Sequence, residues 1–419
     1  MAQKTKRRMK FLIFICSFII VTTMMLTPAQ AFGSDHGVSA RVANGHKPVA
    51  KGNLKVVVLE GSPYNRGLIH GRTLKKEIAE ILQLWKADVE QTYKMKADEF
   101  TARFLKTTNF IPAIQKWTPE LLDEVKGISD GSGIDFNTIL MLQLGDEQWA
   151  QGPDVTAEHC TSISVNQRGP NPTFVAQNMD IEPFYQGYQT LLHIKDPQTS
   201  VESFVLTTPG LIGLNGLNNH SVAIACNTLL QLESSHDGLP VAFIVRGVLE
   251  KTSFDLAVEF FKGIHHASGQ NYIIGGTEKA VGIECSAKKT SQYVTDAGPG
   301  ITYHTNHPLA NDNYSTRYLE RLKKLNRTVA EGAYYCYRYE SLEKRFKHRS
   351  EVVGVDVIKS ALSSRDSKIS PISNESTFGC TIMVLSDKPE LHIAPGQPHR
   401  TAFRKFRFTE SSASTPQTN

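Results

Sequence analysis

The sequence predicts an α+β fold in which helices cover layered β-sheets. Two observations favour this class: the chain up to residue 150 has a mostly helical pattern, and short β-rich segments dominate after Cys160. Of the 419 residues, 40% are hydrophobic and 21% are charged. This composition is that of a globular protein and excludes collagen-like, wholly disordered and many-span membrane proteins. Short strands in meander spacing, with helices before and between them, predict sheets packed in layers.

Residues 1–31 have the pattern of a secretory signal peptide. A basic stretch from Lys4 to Lys10 precedes an apolar run from Phe11 to Leu26, and small residues precede a cut after Ala31. An uncleaved membrane anchor is the alternative, but the apolar run is short for a span of roughly twenty residues. We therefore expect a secreted or periplasmic protein whose mature chain begins at Phe32.

The formal net charge of +5 comes from this leader. It contains five basic residues and no acidic residue, so the chain after the cut carries as many basic as acidic side chains. A balanced charge gives no support to nucleic-acid binding, and we expect no nucleic-acid partner. The basic stretch at 344–349 is typical of a solvated helix end, with an anionic substrate or a membrane surface as alternatives.

Apolar periodicity places the elements in chain order. A β-branched strand spans 54–59, and apolar residues at helical spacing predict a helix from 67 to about 93. A second helix covers about 119–128 and ends at the glycine-rich segment 129–133. Further strands are predicted at 161–165, 173–178, 201–207, 221–226, 271–275, 280–285, 380–386 and 390–394, with helices near 240–263 and 314–330. The polar tail 409–419 is predicted to be disordered.

Cysteine usage singles out one residue. Five cysteines follow the leader, an odd number that leaves at least one thiol unpaired, and disulfide pairing cannot be read from the sequence. No Cys-x-x-Cys spacing occurs, so we expect no metal site of that type. Cys160 begins an apolar strand, and Asn178-Met179-Asp180 follow it by 18 to 20 residues. Taken alone, each of these residues is typical of a structural strand end or turn.

Taken together, these segments resemble the acyl-coenzyme A:isopenicillin N acyltransferase family of N-terminal-nucleophile hydrolases, with choloylglycine hydrolases as more distant relatives. The resemblance covers roughly residues 54–400 and depends on the order and spacing of short motifs, none of which is specific alone. The motifs are Gly67-Leu68-Ile69-His70-Gly71, Glu124-Val125-Lys126-Gly127-Ile128, Cys160-Thr161-Ser162, Ala176-Gln177-Asn178-Met179-Asp180, Gly213-Leu214-Asn215-Gly216-Leu217-Asn218, Ala225-Cys226-Asn227-Thr228, His304-Thr305-Asn306-His307 and Pro395-Gly396-Gln397-Pro398. The fold implied is a four-layer αββα sandwich.

The resemblance also implies a precursor that cuts itself between His159 and Cys160. Residues 32–159 would form the α chain and 160–419 the β chain, and both would stay associated as partners in one αββα domain. Cys160 would then be the nucleophile, and its free α-amino group, with an unperturbed pKa of about 7.7–8.0, would be the general base. No cofactor and no metal are implied.

Other site residues are carried over motif by motif. Asp180 matches an aspartate that hydrogen-bonds the terminal amine, and Asn306 matches an asparagine whose side-chain amide donates to the tetrahedral oxyanion. Asn227 matches a position that adds a backbone N–H in the choloylglycine branch. Gln177 stands where choloylglycine hydrolases carry an arginine, and Met179 replaces a tryptophan common in the acyltransferases. Gln177 and Met179 are our candidate substrate-binding residues.

The expected function is hydrolysis of a linear amide bond in a small N-acylated compound through an acyl-enzyme thioester. Acyl transfer to an amine is one alternative, but coenzyme A thioesters are cytoplasmic metabolites that an exported enzyme does not meet. A second alternative is a non-catalytic exported binding protein that retains the fold. A third is a cysteine peptidase with a conventional Cys–His pair, although the sequence selects no such histidine. The sequence leaves the substrate open, and relatives are often oligomers, so a homo-oligomer is also open.

Overall fold

A computed structural model describes residues 53–153, 160–295, 297–298, 300–329 and 336–408. The predicted leader, His159 at the predicted cut and the predicted tail all lie outside these residues. The described helices and strands are, in chain order, β1 (Lys55–Glu60), α1 (Pro63–Thr73), α2 (Lys75–Tyr93), α3 (Ala97–Thr107), α4 (Ile111–Trp117), α5 (Pro119–Ser132), α6 (Phe136–Leu142), α7 (Gly145–Gln151), β2 (Thr161–Val165), β3 (Thr173–Asp180), a 3₁₀ turn (Pro183–Tyr185), β4 (Thr190–Lys195), β5 (Glu202–Thr207), β6 (Asn215–Asn218), β7 (Ala223–Thr228), α8 (Val241–Leu249), α9 (Phe254–Gly263), β8 (Gln270–Gly275), β9 (Ala280–Cys285), β10 (Thr290–Tyr293), β11 (Ile301–His304), α10 (Thr316–Lys324), α11 (Tyr337–Phe346), α12 (Val355–Leu362), β12 (Thr377–Leu385), β13 (Glu390–Ala394) and β14 (Arg404–Arg407).

Two sheets form the centre of the molecule. The first has eight strands in the order β1-β4-β5-β6-β7-β8-β9-β10, and the second has six in the order β11-β2-β3-β12-β13-β14. The edge strand β1 runs parallel to β4, and the central strands β2 and β3 pair antiparallel. Val175 and Met179 of the second sheet share one apolar cluster with Val205 and Ile273 of the first. The two sheets therefore pack face to face.

Helices cover the outer face of each sheet. Helix α8 packs on β6 and β7, α9 on β8, and α1 on β1, whereas α11 and α12 pack on the second sheet. Phe174 and Ala176 of β3 lie in a second apolar cluster with Leu342 and Phe346 of α11. Alternate residues of β3 thus face the other sheet and the helices, as strand geometry requires. This helix–sheet–sheet–helix order confirms the four-layer αββα sandwich.

Helices α1 and α5 touch at backbone distance. A Cβ atom at Gly67 would lie 1.9 Å from the carbonyl oxygen of Glu124, and a Cβ at Gly127 would lie 2.2 Å from the carbonyl oxygen of Tyr64. Any side chain larger than hydrogen would therefore push the two helices apart. Both glycines belong to motifs on which the family resemblance depends, so these motifs are explained by helix packing rather than by chemistry.

A buried carboxylate joins three helices beside this contact. Glu124 of α5 accepts from Arg66 Nε at 3.2 Å and from Arg246 Nη1 and Nη2 at 2.6 and 3.0 Å. All three side chains are buried. Burial alone would raise the pKa of Glu124, but the two guanidinium groups outweigh it and lower that pKa to about 2. The carboxylate therefore stays charged and holds α1, α5 and α8 together.

The observed elements depart from the predicted ones in two ways: two predicted helices are each divided, and several elements, β4, α11 and α12 among them, had no individual prediction. One helix was predicted from residue 67 to about 93, whereas the structure has α1 and α2, which meet at Leu74. The predicted helix near 240–263 is likewise α8 and α9, separated by a short loop. Within the described part of the chain, no helix is both long and apolar enough to cross a membrane.

We expect Gly67→Ala to lower the free energy of unfolding by about 3 kcal/mol, because a methyl group against a fixed backbone oxygen overpacks the helix contact. Chemical or thermal denaturation measures the change. Gly354→Ala is the matched control, since nothing lies within 4 Å of a Cβ atom there. Equal midpoints for the two variants would contradict the backbone contact between α1 and α5.

Candidate active site

Cys160 lies directly before β2, beside the end of β3. The antiparallel pairing that sets Thr161 opposite Asn178 produces this neighbourhood. The Cys160 Sγ lies 3.4 Å from Met179 Sδ and 3.8 Å from the carbonyl oxygen of Asp180. The residue is only 4% exposed. Burial, and then the Asp180 carboxylate, raise the pKa of the Cys160 thiol above its ordinary range. Both effects favour the protonated thiol.

The carboxylate of Asp180 is held in place at the end of β3. Its Oδ2 accepts from Asn374 Nδ2 at 2.7 Å, and Asp180 is buried. Asn374 is itself fixed, because its backbone N–H donates to Thr377 Oγ1 at 3.1 Å and its Oδ1 accepts from the Ser376 N–H at 2.8 Å. The turn before β12 thus sets the position of the acidic group next to Cys160.

Arg338 connects Cys160 to Asn306, which is distant in the chain. It is the second residue of α11 and is 1% exposed. Its Nη1 donates to the carbonyl oxygen of Cys160 at 2.6 Å and to Thr161 Oγ1 at 2.9 Å, and its Nη2 donates to Asn306 Oδ1 at 3.0 Å. One rigid guanidinium, with its donors in a fixed plane, therefore sets the relative positions of Cys160 and Asn306.

The orientation of the Asn306 amide follows from its partners. Arg338 has no acceptor, so the group facing it must be the amide oxygen of Asn306. The amide nitrogen then faces the opposite way and donates to the carbonyl oxygen of Thr228 at 3.0 Å. The backbone oxygen of Asn306 accepts from Gln231 Nε2 at 3.1 Å. Asn306 is thus fixed on both its side chain and its backbone, with an N–H₂ donor group on a known side.

Asn227 faces the space between the sheets. Its Oδ1 accepts from Ser162 Oγ at 2.6 Å and from Asn271 Nδ2 at 2.8 Å, and its Nδ2 has no hydrogen-bond partner among the described residues. These bonds tie the strand that follows Cys160 to β7 and β8. The contribution of a backbone N–H by Asn227 stays a prediction.

The two candidate substrate-binding residues differ in their surroundings. Met179 Sδ lies 3.4 Å from the Cys160 thiol. Gln177 donates from Nε2 to the carbonyl oxygen of Cys226 and accepts at Oε1 from Asn215 Nδ2 at 2.8 Å. It is fully buried, and both of these bonds connect the two sheets. Binding of substrate by either residue stays a prediction.

Two acidic residues from before the predicted cut bind elements that follow it. Asp146 Oδ1 accepts from Thr228 Oγ1 at 2.7 Å and from Gln270 Nε2 at 2.9 Å. Glu147 Oε1 accepts from the Val241 N–H and from Ser268 Oγ, both at 3.1 Å. Helix α7 is thereby attached to β7, β8 and α8.

Sequence reasoning missed Arg338 and Asn374. Arg338 lies in a strongly charged helix, and only its burial distinguishes it from the solvated arginines nearby. From the sequence alone, the basic stretch at 344–349 was instead considered as a possible binding surface. In the structure, Lys344, Arg345 and Lys347 pair with carboxylates of the same helix or of a neighbouring loop. These pairs fit a solvated helix end.

The five cysteines from Cys160 to Cys380 are all buried and free of disulfides within the described structure. Cys226 lies in β7, as its apolar neighbours predicted, and Cys380 lies in β12 on the side of the helices. Burial raises the pKa of the Cys226, Cys285 and Cys380 thiols. Of these cysteines, Cys160 is the one whose thiol lies against Met179 and Asp180.

Comparison with known proteins gives one family match. Residues 167–353 match the model of the family described as acyl-coenzyme A:6-aminopenicillanic acid acyl-transferase. The segment includes Asp180, Asn227, Asn306 and Arg338 and begins after Cys160. A curated relative, protein dcd1A of Dictyostelium discoideum, is 31% identical over 109 residues, which are 22% of this chain and 25% of that protein. The matched part thus spans about a quarter of the length of this relative.

Several solved structures are similar at low sequence identity. An N-acylethanolamine-hydrolyzing acid amidase ortholog of Caenorhabditis elegans is 17% identical, with a TM-score of 0.41, over 60% of this chain and 100% of that one. A conjugated bile acid hydrolase variant of Clostridium perfringens is 12% identical, with a TM-score of 0.35, over 62% and 100% of the two chains. Penicillin V acylase of Agrobacterium tumefaciens is 12% identical, with a TM-score of 0.33, over 60% and 86%.

The family match covers four of the eight motifs, those at 176–180, 213–218, 225–228 and 304–307. The matched segment includes β3, which carries Asp180, and α11, which carries Arg338. Residues 167–353 are therefore similar to the acyl-coenzyme A:6-aminopenicillanic acid acyl-transferase family, in agreement with the resemblance that the motifs carry.

Proposed function

We propose that this chain is an exported, self-cleaving amidohydrolase that uses Cys160 as an N-terminal nucleophile on small N-acylated compounds. The observation that carries the proposal is that Cys160 lies beside Asp180 and is connected through Arg338 to Asn306. The Cys160 thiol is 3.8 Å from the backbone carbonyl oxygen of Asp180, and Arg338 donates both to the carbonyl oxygen of Cys160 and to Asn306 Oδ1. These residues are far apart in the chain, and they supply a nucleophile, an orienting acid and an oxyanion donor.

The first step of the proposal is an intramolecular cut. The Cys160 sulfur attacks the carbonyl carbon of His159, the C–N bond breaks, and the released nitrogen takes up a proton as the new α-amine. A thioester between the His159 carbonyl and Cys160 results. Water then attacks this thioester, which leaves a carboxylate on His159 and restores the thiol. Arg338 fits this step, because it binds the carbonyl oxygen of Cys160 and so fixes the residue whose bond is broken.

The same groups then act on the substrate. The α-amine of Cys160 accepts the thiol proton, and the sulfur attacks the amide carbonyl of the substrate. The Asn306 N–H₂ group donates to the oxyanion, the substrate amine leaves with a proton, and water hydrolyses the acyl thioester. Asp180 orients the α-amine throughout. Water is the expected acceptor because an exported enzyme does not meet coenzyme A thioesters, whereas the family match keeps transfer to an amine as the second candidate.

The decisive experiment is the intact mass and N-terminal sequence of the exported protein beside Cys160→Ala. We expect two chains, one starting at Phe32 and one at Cys160, and an uncut chain in the variant. Cys380→Ala is the matched control, because Cys380 is equally buried but faces the helical layer. It should be cut normally. A single uncut chain from the unsubstituted protein would refute self-cleavage and favour a binding protein that retains the fold.

Arg338→Lys tests the link between nucleophile and oxyanion donor. An ammonium group cannot bond the Cys160 oxygen, Thr161 Oγ1 and Asn306 Oδ1 in one plane, so Asn306 loses its orientation. We expect turnover of an N-acyl amide to fall about 10²-fold, the lower end of the effect of removing an oxyanion donor. Arg345→Lys on the same helix is the control, since Arg345 pairs with Asp366 at the surface. Equal rates for both variants would remove Arg338 from the site.

The hydrogen bonds of α7 support the association of the two chains after the cut. Asp146 and Glu147 lie before the cut, and they bind Thr228, Gln270, Val241 and Ser268, which follow it.

The carboxyl group of Glu147 makes stability depend on pH. Burial, and then repulsion from Asp146, raise the pKa of Glu147 to about 8. In the unfolded chain this carboxyl would lose its proton near pH 4.3. The folded chain therefore binds more protons between about pH 4.3 and pH 8, and its stability falls as the pH rises through that window.

Glu147→Gln should abolish this dependence, because the amide is neutral at every pH. We expect the thermal midpoint of the unsubstituted protein to fall from pH 5 to pH 8 more steeply than that of Glu147→Gln. Glu343→Gln, which alters a surface glutamate paired with Lys347, is the control and should keep the steeper slope. Parallel slopes for the unsubstituted protein and Glu147→Gln would contradict a protonated Glu147.

A further inference from the structure

We propose that Glu284 is a positioning residue that fixes the loop from Thr305 to Asn311 and thereby directs the Asn306 amide at the reacting carbonyl. The inference rests on the proposed function, since Asn306 needs a direction only if it serves a reaction. Glu284 lies on β9, outside every motif quoted from the sequence. It pairs across from Asn271, so its side chain shares the face that carries Asn227 and Asn271 towards the second sheet.

Four donors converge on this one carboxylate. Oε1 accepts from His304 Nε2 at 2.7 Å and from the Leu309 N–H at 2.6 Å. Oε2 accepts from the Ala310 N–H at 2.9 Å and from the Asn311 N–H at 2.6 Å. Glu284 is fully buried. A carboxylate has about four lone-pair sites, so this one is fully used by groups at the two ends of the Asn306 loop.

His304 is the side chain that binds the Glu284 carboxylate. Its Nδ1 lies 2.8 Å from the carbonyl oxygen of Thr305, and its Nε2 faces the Glu284 carboxylate. Both neighbours accept hydrogen bonds, so both ring nitrogens are placed to donate. The His304 ring and the Glu284 carboxylate form a buried pair. Burial would raise the pKa of Glu284, but the bond and charge of His304 and the backbone N–H groups of Leu309 and Ala310 lower it below its ordinary range.

This pair anchors Asn306 from both sides. Before Asn306, His304 is held in β11 opposite Ser162 of β2, and its ring donates to the carbonyl oxygen of Thr305. After Asn306, three successive backbone N–H groups bind the same carboxylate. The segment between these anchors is short, so its backbone has little freedom left. The side chain that reaches Arg338 and Thr228 is consequently aimed by Glu284 through the backbone.

Glu390 is a glutamate with several hydrogen-bond partners, and none of them in the described structure belongs to the loop from Thr305 to Asn311. Glu390 of β13 accepts from Lys405, Arg407 and His392, and these bonds and charges lower its pKa to about 2 despite partial burial. Its partners belong to β13 and β14, at the edge of the second sheet. Glu390 is therefore a matched control for the loss of a well-bonded carboxylate away from the site.

The test is Glu284→Gln, which keeps the shape of the side chain and removes its charge and one acceptor group. We expect kcat per mole of cut chain to fall about ten- to 10²-fold with KM nearly unchanged. A loss of this size is what a displacement of the Asn306 amide by about 1 Å would produce. Glu390→Gln should keep the kcat of the unsubstituted enzyme. Amide hydrogen exchange at Leu309, Ala310 and Asn311 should be faster in Glu284→Gln than in the unsubstituted protein, and it should be unchanged in Glu390→Gln. Where Glu284→Gln does not accumulate as folded protein, Glu284→Asp is measured by the same criteria.

A double variant separates positioning from general destabilisation. In the background of Asn306→Ala, Glu284→Gln should change kcat less than about twofold, because the group that it aims is gone. The same loss in both backgrounds, or an unchanged kcat in Glu284→Gln, would overturn the inference. The proposed function fails separately: it is refuted if Asn306→Ala turns over substrate at the unsubstituted rate, whatever Glu284→Gln does.

Discussion

The antiparallel pairing of β2 with β3 is the constraint on which the site depends. Both strands lie near the centre of the second sheet, so their register is fixed by apolar side chains on two faces at once: Val175 and Met179 towards the first sheet, Phe174 and Ala176 towards the helices. A slip of one residue would exchange these faces. The register that sets Thr161 opposite Asn178 is also the one that places the Cys160 thiol beside Asp180. The packing of the core and the placement of Cys160 therefore depend on the same register.

The space between the sheets is apolar at most positions but carries a polar strip beside the site. Ser162, Asn227 and Asn271 form one chain of hydrogen bonds, and Gln177 bonds to β6 and β7. Such groups are costly to bury unless they are paired. Their directional bonds restrict how the sheets can slide over each other, which an apolar interface alone would not do. The distances among Cys160, Arg338 and Asn306 therefore depend on polar contacts some way from the thiol.

The strands whose bounds the sequence predicted correctly are those with a clear apolar pattern. The strands 161–165, 280–285 and 390–394 were predicted with their observed bounds, because each is an apolar run between turn-forming residues. Strands β6, β10, β11 and β14 have four residues each, too few for a period to be read. At the site, Cys160, Asp180 and Asn306 were predicted from motif order. Arg338 and Glu284 were not, because what distinguishes a buried charged residue is the set of partners that the fold brings to it.

In the proposed enzyme, the position of Cys160 reduces the backbone entropy that is lost when the new chain end is ordered. Chain ends are ordinarily frayed, and ordering a terminal residue costs about 1–2 kcal/mol of backbone entropy. A terminus created here would appear inside a finished structure, with its carbonyl already bound by Arg338 and its strand already paired on both sides. The ordering cost is met while the chain is continuous and folding. A cut made after folding therefore yields a free amine and thiol that need little further ordering before they react.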